Sequence, residues 1–500
     1  MRAVANGLLL LVTVAVGVVV AEIVTRLVDG LPVASLFAPE SRGAFGVDTT
    51  AAHLERLPRA ASVPRKIFDS EPPPLPNRVA PSAEQVALYK QILWDAAIAS
   101  AKGVKNPFQP WDAFKSWNEA YVGDPCTHFY LKNAPGWLDV FEPLEGATRP
   151  AFRFLPSTTA PDGLVTNAFG WRGPPVQFQR APRTVRIVVI GASVIAEIHH
   201  FPFSTPEYIQ HWLNLWSAER KLDIRFEVLN AGRESIDSTQ IAAIVRQEIA
   251  PTRPDLVVYY EGGNQLDLRT VVKSVPPGEP RPAGTIARWL RAAAPYSALA
   301  QRLEVLTDGK EWPKPDYQLE FPAGVDENDP DLARADLPIN LPTILRDLDR
   351  IRSDLATVGG ELAMSSFHWL PKDGLVLDPI RHKPILHILN IALYPYRYRD
   401  WARMTAFENR VFAKYAKVHG LPFVDVARHM PHDPDLFSDP THNTPAGVKL
   451  RAWVMLQELV PVIEARLASG AWPKPPPEMP ATHPAFTKAP RRITFSCPSK

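Results

Sequence analysis

Cysteine is almost missing from this chain: Cys126 and Cys497 are the only two in 500 residues. Two isolated thiols cannot assemble a zinc or iron–sulfur site, and they exclude a disulfide-stapled scaffold. One bridge stays open to them, as does a pair of free thiols. An excess of either charge is missing too. Fifty-five Lys and Arg against 53 Asp and Glu leave a formal charge of +2. No basic block follows a phosphate backbone, so nucleic acid is not expected as a partner. No repeat of solenoid period occurs, which excludes a stacked-repeat architecture. The 46% apolar and 22% charged content is that of a globular protein, long enough for two or three packed regions.

What is present starts with an apolar run, MRAVANGLLLLVTVAVGVVVAEIVTRLVDG, from about Ala3 to Ala21. It is just long enough for the roughly 20 residues a spanning helix needs. Arg2 precedes it and little charge follows at once, a pattern that keeps the amino terminus inside and sends the rest across. A cleavable signal peptide is the rival, with Val19 and Ala21 at the small-residue positions. Apolar character continues to Val28 and no A-x-A site stands there, so residues 1–28 are read as an uncleaved signal anchor. The expectation is a membrane-anchored protein whose main domain lies outside the cytoplasm.

Proline is abundant, at 53 residues, and clustered near 62–82, 274–284 and 473–486. Because proline lacks an amide donor and fixes φ, these clusters read as linkers or extended loops. They divide the chain into the anchor (1–28), a Pro-rich stalk (29–82), a small region of open role (83–165), a main domain (166–466) and a Pro-rich, loose tail (467–500).

Within the main domain, short β-branched runs alternate with amphipathic helical stretches. TVRIVVI ends in Gly191-Ala192-Ser193; a helix follows with Ile209, Trp212, Leu213 and Trp216 on one stripe. Strands are then expected at RFEVLN, DLVVYY, ELAMSS and LPFVDV, with helices between them and a last helix from Pro445 to about Arg466. Five strands alternating with helices predict a doubly wound, flavodoxin-like α/β fold with a five-stranded parallel sheet. Unmatched residues at about 268–336 interrupt it as an inserted helical segment. There Ile286, Trp289, Leu290, Leu299 and Leu303 recur near helical spacing, compatible with a lid or with a helix simply packed on the domain.

Ligands of such sheets sit beyond the carboxyl ends of the strands. Strand one ends in Ser193, strand two in Asn230-Ala231-Gly232, strand three in Gly262-Gly263-Asn264, and the loop after strand five carries Asp439-Pro440-Thr441-His442. A serine hydroxyl needs an imidazole base, and the base needs a carboxylate to hold its tautomer. A glycine amide and an asparagine side-chain amide, beside the serine amide, supply donors for an oxyanion. Singly, each block has a plain reading. The Gly-x-Ser turn is an ordinary loop, D-x-x-H a solvated helix cap, Gly232 a chain reversal and Asn264 an Asx turn. Their order on successive strand ends favours a catalytic site.

Together the blocks VVIGAS, VLNAG, GGNQ and DPTHNTPAG resemble the SGNH, or GDSL-type, serine hydrolase superfamily over roughly residues 165–466. The segment NAFGWRG (167–173) is similar to one that precedes the serine strand in membrane-associated bacterial members. The resemblance implies an SGNH hydrolase fold, Ser193 as nucleophile, His442 as base, Asp439 as its orienting carboxylate, and Ser193, Gly232 and Asn264 as the oxyanion hole. This chain differs from the family pattern in carrying Ala192 where an aspartate is usual and Asn264-Gln265 where Asn-Asp is usual.

No metal and no cofactor is expected. His429, His432, Asp433 and Asp435 form no complete ligand set and read as a solvated loop. His199 and His200 read as either pocket or surface turn, and Arg172 as a structural ion-pair partner. The expected activity is ester hydrolysis through an acyl-enzyme, on O-acyl groups of an envelope glycan or lipid. The alternatives are O-acyl transfer on a cell-envelope glycan, or a noncatalytic envelope-binding or assembly protein on the same fold.

Overall fold

The computed structural model describes residues 2–28, 33, 48–83, 85–87, 89–91, 94, 118–127, 137–142, 150, 152–197, 202–271, 284–294, 296–308, 319–378, 381–389 and 398–494. His199 and His200 lie outside these.

The main sheet has five parallel strands: β4 (Thr184–Ile190), β5 (Arg225–Asn230), β6 (Leu256–Tyr259), β7 (Glu361–Ser365) and β8 (Phe423–Val424). They lie in the order β5-β4-β6-β7-β8. Every residue of β4 and β6 is buried, which explains why these runs are continuously apolar rather than alternating. The path goes from β4 outward to β5 and then back past β4 to β6. Right-handed crossovers therefore put the first helix on one face and the next three on the other. The first is α3 (Thr205–Glu219), after the short α2 (Ser193–Ala196); the next three are α4 (Ser238–Ile244), α7 (Leu341–Ala356) and α8 (Tyr398–His419). The final helix, α9 (Pro445–Ala468), packs on α3. The reversal falls between β4 and β6, so the loops after these strands open into one crevice.

A second sheet, of order β3-β1-β2-β9, joins β1 (Glu119–Val122), β2 (Trp137–Phe141) and β3 (Phe152–Phe154) to β9 (Arg491–Thr494). The tail is therefore not loose. Its last described residues pair antiparallel with β2, from Trp137 opposite Thr494 to Val140 opposite Arg491. Ahead of β9, Phe486 stacks on Phe169 at 5.2 Å between ring centroids, and the buried His483 bonds the Glu248 carbonyl at 2.7 Å. Prolines mark where regular structure stops, but a chain without helix or ladder still packs through its aromatic side chains.

The stalk reading is corrected in the same way. From residue 48 onward the segment lies on the main domain, with Leu54, Val63, Ile67 and Phe68 buried. Phe68 fits between Trp212 of α3 and Trp453 of α9, at 5.9 and 5.4 Å, a burial that contributes about 1.5–3 kcal/mol. Trp212 donates its indole N–H to the Ser70 carbonyl at 2.8 Å. Cys126 is disulfide-bonded, while Cys497 lies outside the described residues.

At the amino end, α1 (Arg2–Val28) is one apolar helix. Within Ala5–Val28 a run of 18 residues reaches mean hydropathy 2.7, and the helix is long and apolar enough to cross a membrane. The helix stands clear of the body until Glu22 and Arg26, both buried and paired at 2.7 Å. There the sequence between β6 and β7 meets it. Ahead of α7, and instead of a single helix, the described residues of that stretch hold α5 (Thr285–Ala293) and α6 (Ala298–Asp308). The Glu22 carboxylate caps α6, accepting from the Ser297 hydroxyl at 2.7 Å and from the amides of Ala298 and Leu299 at 2.9 and 3.0 Å. A carboxylate is the right charge for the first turn of a helix, whose amides have no partner within it.

Candidate active site

Four loops converge at the crevice. The first follows β4, where Gly191 crosses so close to strand β6 that a β-carbon would lie 2.1 Å from the Tyr260 carbonyl oxygen. Ser193 then opens α2, and the amides of Ile195 and Ala196 return to the Ala192 carbonyl at 3.0 Å each. Beyond α2, Glu197 adopts a left-handed conformation, φ 55°, which stops the helix after one turn.

The fourth loop supplies the partners. His442 Nε2 lies 2.8 Å from Ser193 Oγ, and His442 Nδ1 lies 2.5 Å from Asp439 Oδ2. The other carboxylate oxygen of Asp439 accepts the amides of Thr441 and His442 at 2.8 Å each and the Thr441 hydroxyl at 3.1 Å. Burial raises the Asp439 carboxyl. The hydrogen bond and charge of His442, with the two amides, outweigh that and hold it at about 2. Asp439 therefore stays charged across the whole working range and fixes its imidazole with Nδ1 protonated, which leaves Nε2 to accept from the serine. Residues 249 positions apart thus bring a serine hydroxyl, an imidazole and a carboxylate into line, the arrangement that nucleophilic catalysis by serine requires.

The second loop places Gly232 against α2, where a β-carbon would lie 2.6 Å from the Ala196 amide; only glycine fits. Its amide donates to Asn230 Oδ1 at 3.0 Å, and Asn230 in turn donates to the Ile195 carbonyl at 2.7 Å. Asn230 is thus a strut between the serine turn and the glycine loop, a role sequence reading missed although the residue stands in its own block. The Gly232 amide already has an acceptor, and an oxyanion would share it. In the third loop Asn264 is exposed, and one N–H of its amide is spent on the Ile236 carbonyl at 2.8 Å. The second N–H of that amide has no such bond to Ile236.

Gln265 has a structural task. Its side-chain oxygen accepts the Ser238 amide, and its nitrogen bonds the Ser238 hydroxyl at 2.5 Å, pinning the start of α4. Arg172, buried, donates to the carbonyls of Ala196 and Glu197 at 3.0 Å each, and so braces the end of α2. Among the other histidines, His432 Nδ1 bonds the Leu370 carbonyl at 2.8 Å, and His429 faces Glu458 at 3.4 Å. Asp433 pairs with His53 at 2.7 Å and Asp435 with His382 at 3.0 Å. These four are dispersed over separate partners.

Buried ions hold the frame, and none announced itself in the sequence. Arg451 of α9 donates to the Val194 carbonyl at 2.9 Å, to Glu197 at 2.5 Å, to the Thr205 hydroxyl at 2.9 Å and to Asn443 at 2.5 Å. One guanidinium thereby ties the serine turn to the residue after His442. Arg233, next to Gly232, pairs with the fully buried Glu248 and donates to the Phe152 carbonyl at 3.1 Å. This contact makes the small sheet a brace for the glycine loop.

No protein-family model and no curated protein sequence matches the chain. Among solved structures, a variant of an acetyl xylan esterase from Geobacillus stearothermophilus is 13% identical, with a TM-score of 0.31 over 55% of this chain and 94% of that one. A GDSL-like lipase from Bacteroides thetaiotaomicron is 11% identical, with a TM-score of 0.27 over 56% and 88%. TesA is 14% identical, with a TM-score of 0.29 over 56% and 98%. Likeness at that level assigns no reaction to this chain. By its own blocks, strand order and convergent Ser193, His442 and Asp439, what this chain resembles is an SGNH/GDSL-type serine hydrolase.

Proposed function

We propose that the protein is a serine acyl hydrolase that cleaves esters through an acyl-enzyme. The observation that carries the reading is the chain of short contacts from Ser193 Oγ to His442 Nε2 to Asp439. In the first half-reaction Ser193 Oγ bonds to the ester carbonyl carbon while its proton passes to His442. The tetrahedral intermediate then expels the alcohol, which takes that proton. Water, deprotonated by His442, repeats the attack on the acyl-serine and releases the acid. Asp439 stays ionised throughout and stabilises the imidazolium. The Ser193 and Gly232 amides and the Asn264 side chain are the donors for the oxyanion. A serine-directed fluorophosphonate should label the wild-type protein at Ser193, located by peptide mass; absence of an adduct in folded protein rejects the reading.

Asn264→Ala is expected to lower kcat on a short-chain aryl ester by about 10²- to 10³-fold with KM nearly unchanged, because that donor meets charge present only in the transition state. A rise in KM at constant kcat would instead place Asn264 in ground-state binding.

The substrate is read as an O-acyl group on an envelope glycan or lipid. What supports this is α1, read as a signal anchor that leaves the site outside the cytoplasm. Full-length protein should stay with the membrane pellet after alkaline carbonate extraction; release into the supernatant rejects the anchor.

A further inference from the structure

Ala192 stands before the nucleophile, so this position offers no side chain to steady the serine turn. The steadying group comes from the facing strand. Glu261, two residues beyond β6, is only 4% exposed. One of its oxygens accepts the Ala192 amide at 3.1 Å, and the other accepts the amides of Gly263 and Asn264 at 3.1 Å each. A single carboxylate thus joins the turn that aims Ser193 to the loop that aims Asn264.

We propose that the Glu261 carboxylate is the positioning group that registers the nucleophile turn against the asparagine loop. This rests on the hydrolase reading and goes beyond it, since Glu261 touches neither Ser193 Oγ nor any reacting atom. Three amides pointing at one group require an acceptor at both oxygens. A carboxylate supplies that, whereas an acid or an amide turns one oxygen position into a donor that opposes an N–H.

The surroundings make this ionisation sensitive. Burial pushes Glu261 up to about 7, although the amides of Asn264, Ala192, Gly263 and Gly262 pull the other way. The groups around it are mostly acidic or phenolic. Glu408 of α8 is fully buried, and neither of its oxygens is hydrogen-bonded among the described residues. Burial, then the charge of Glu261, raise it well above the carboxylate range. Burial raises the flanking Tyr259 and Tyr260 as well, with Glu261 adding to both. Arg451 lies over the Tyr260 ring, at 5.6 Å, and no cationic side chain pairs with Glu261 among the described residues.

Two pH demands then oppose each other. Because the folded-state value lies above the unfolded value of about 4.3, Glu261 makes folding less favourable as pH rises from about 4 to 7. The clamp, by contrast, forms only as pH rises through about 7. The three amides that converge on Glu261 give a buried carboxylate at this point its task.

The test compares full-length wild-type protein with Glu261→Gln, using a soluble aryl ester and a fluorophosphonate. The variant is expected to keep KM within about twofold while kcat and the labelling rate both fall about 10- to 100-fold, the cost of a small misplacement of reacting groups. On the acid side wild-type kcat should fall with a slope one proton steeper than that of Glu261→Gln, the extra proton being the one that Glu261 takes up. Glu261→Asp keeps a carboxylate and should keep the steeper slope even with a lower kcat, so loss of folding in one variant does not decide the matter. An active wild type matched by Glu261→Gln in both kcat and slope overturns this proposal alone. A folded wild type inert to ester and probe overturns the hydrolase reading and the proposal together.

Discussion

Ser193→Ala is expected to reduce kcat on an aryl ester by about 10⁶-fold and to abolish fluorophosphonate labelling. The size follows from the geometry. With Nε2 of His442 2.8 Å from the hydroxyl and Asp439 2.5 Å behind it, the three groups act as one unit. Removing His442 should therefore cost about as much as removing Ser193, and the double variant should lose little more. The remaining turnover reflects the oxyanion donors and binding alone. The variant should fold normally, since only a hydroxyl at the mouth is lost. Indistinguishable hydrolysis by wild type and Ser193→Ala would end the enzyme reading and return the noncatalytic alternative to first place.

Arg451→Met should destabilise the protein by about 3–5 kcal/mol. The side chain of Arg451 is 1% exposed and that of its partner Glu197 is 4%. Methionine fills the volume but leaves a buried carboxylate with no cation and strips the Val194 carbonyl of a donor. The urea-unfolding free energy, followed by tryptophan fluorescence, gives the measurement. Adding Glu197→Gln should recover part of the loss, because the stranded charge is then gone. An Arg451→Met protein within about 1 kcal/mol of wild type would mean that Arg451 is replaceable packing and not the bond between the serine turn and the histidine loop.

The features that could be read from the chain beforehand are those encoded locally. Continuous apolar runs gave β4 and β6, and a 3.6-residue stripe gave α3. The motif blocks singled out Ser193 just past β4 and Asp439 and His442 in the loop after β8, three side chains that meet in the structure. Arg451, Glu197 and Glu261 were illegible for a physical reason. A charge inside an amphipathic helix or just past a strand reads as solvated, and only a partner 254 positions away, as for Arg451 and Glu197, turns it into a buried one. The stalk and the tail failed on the opposite side. Their prolines announce the loss of regular hydrogen bonding, but nothing in a lone Phe68 or Phe486 tells which aromatic cluster it will enter.

If α1 is the membrane anchor proposed above, the Glu22 cap on α6 limits how far the proposed active site can reach. A domain on a flexible tether would sweep a hemisphere of radius equal to its leash and meet esters dissolved in the surrounding fluid. Here the carboxylate near the end of α1 is bonded to Ser297 and the amides of Ala298 and Leu299. With α1 in a bilayer, as proposed, this contact keeps α6 beside the lipid and the proposed site near the membrane surface. Its encounter rate is then governed by how densely acylated molecules crowd the surface around the anchor.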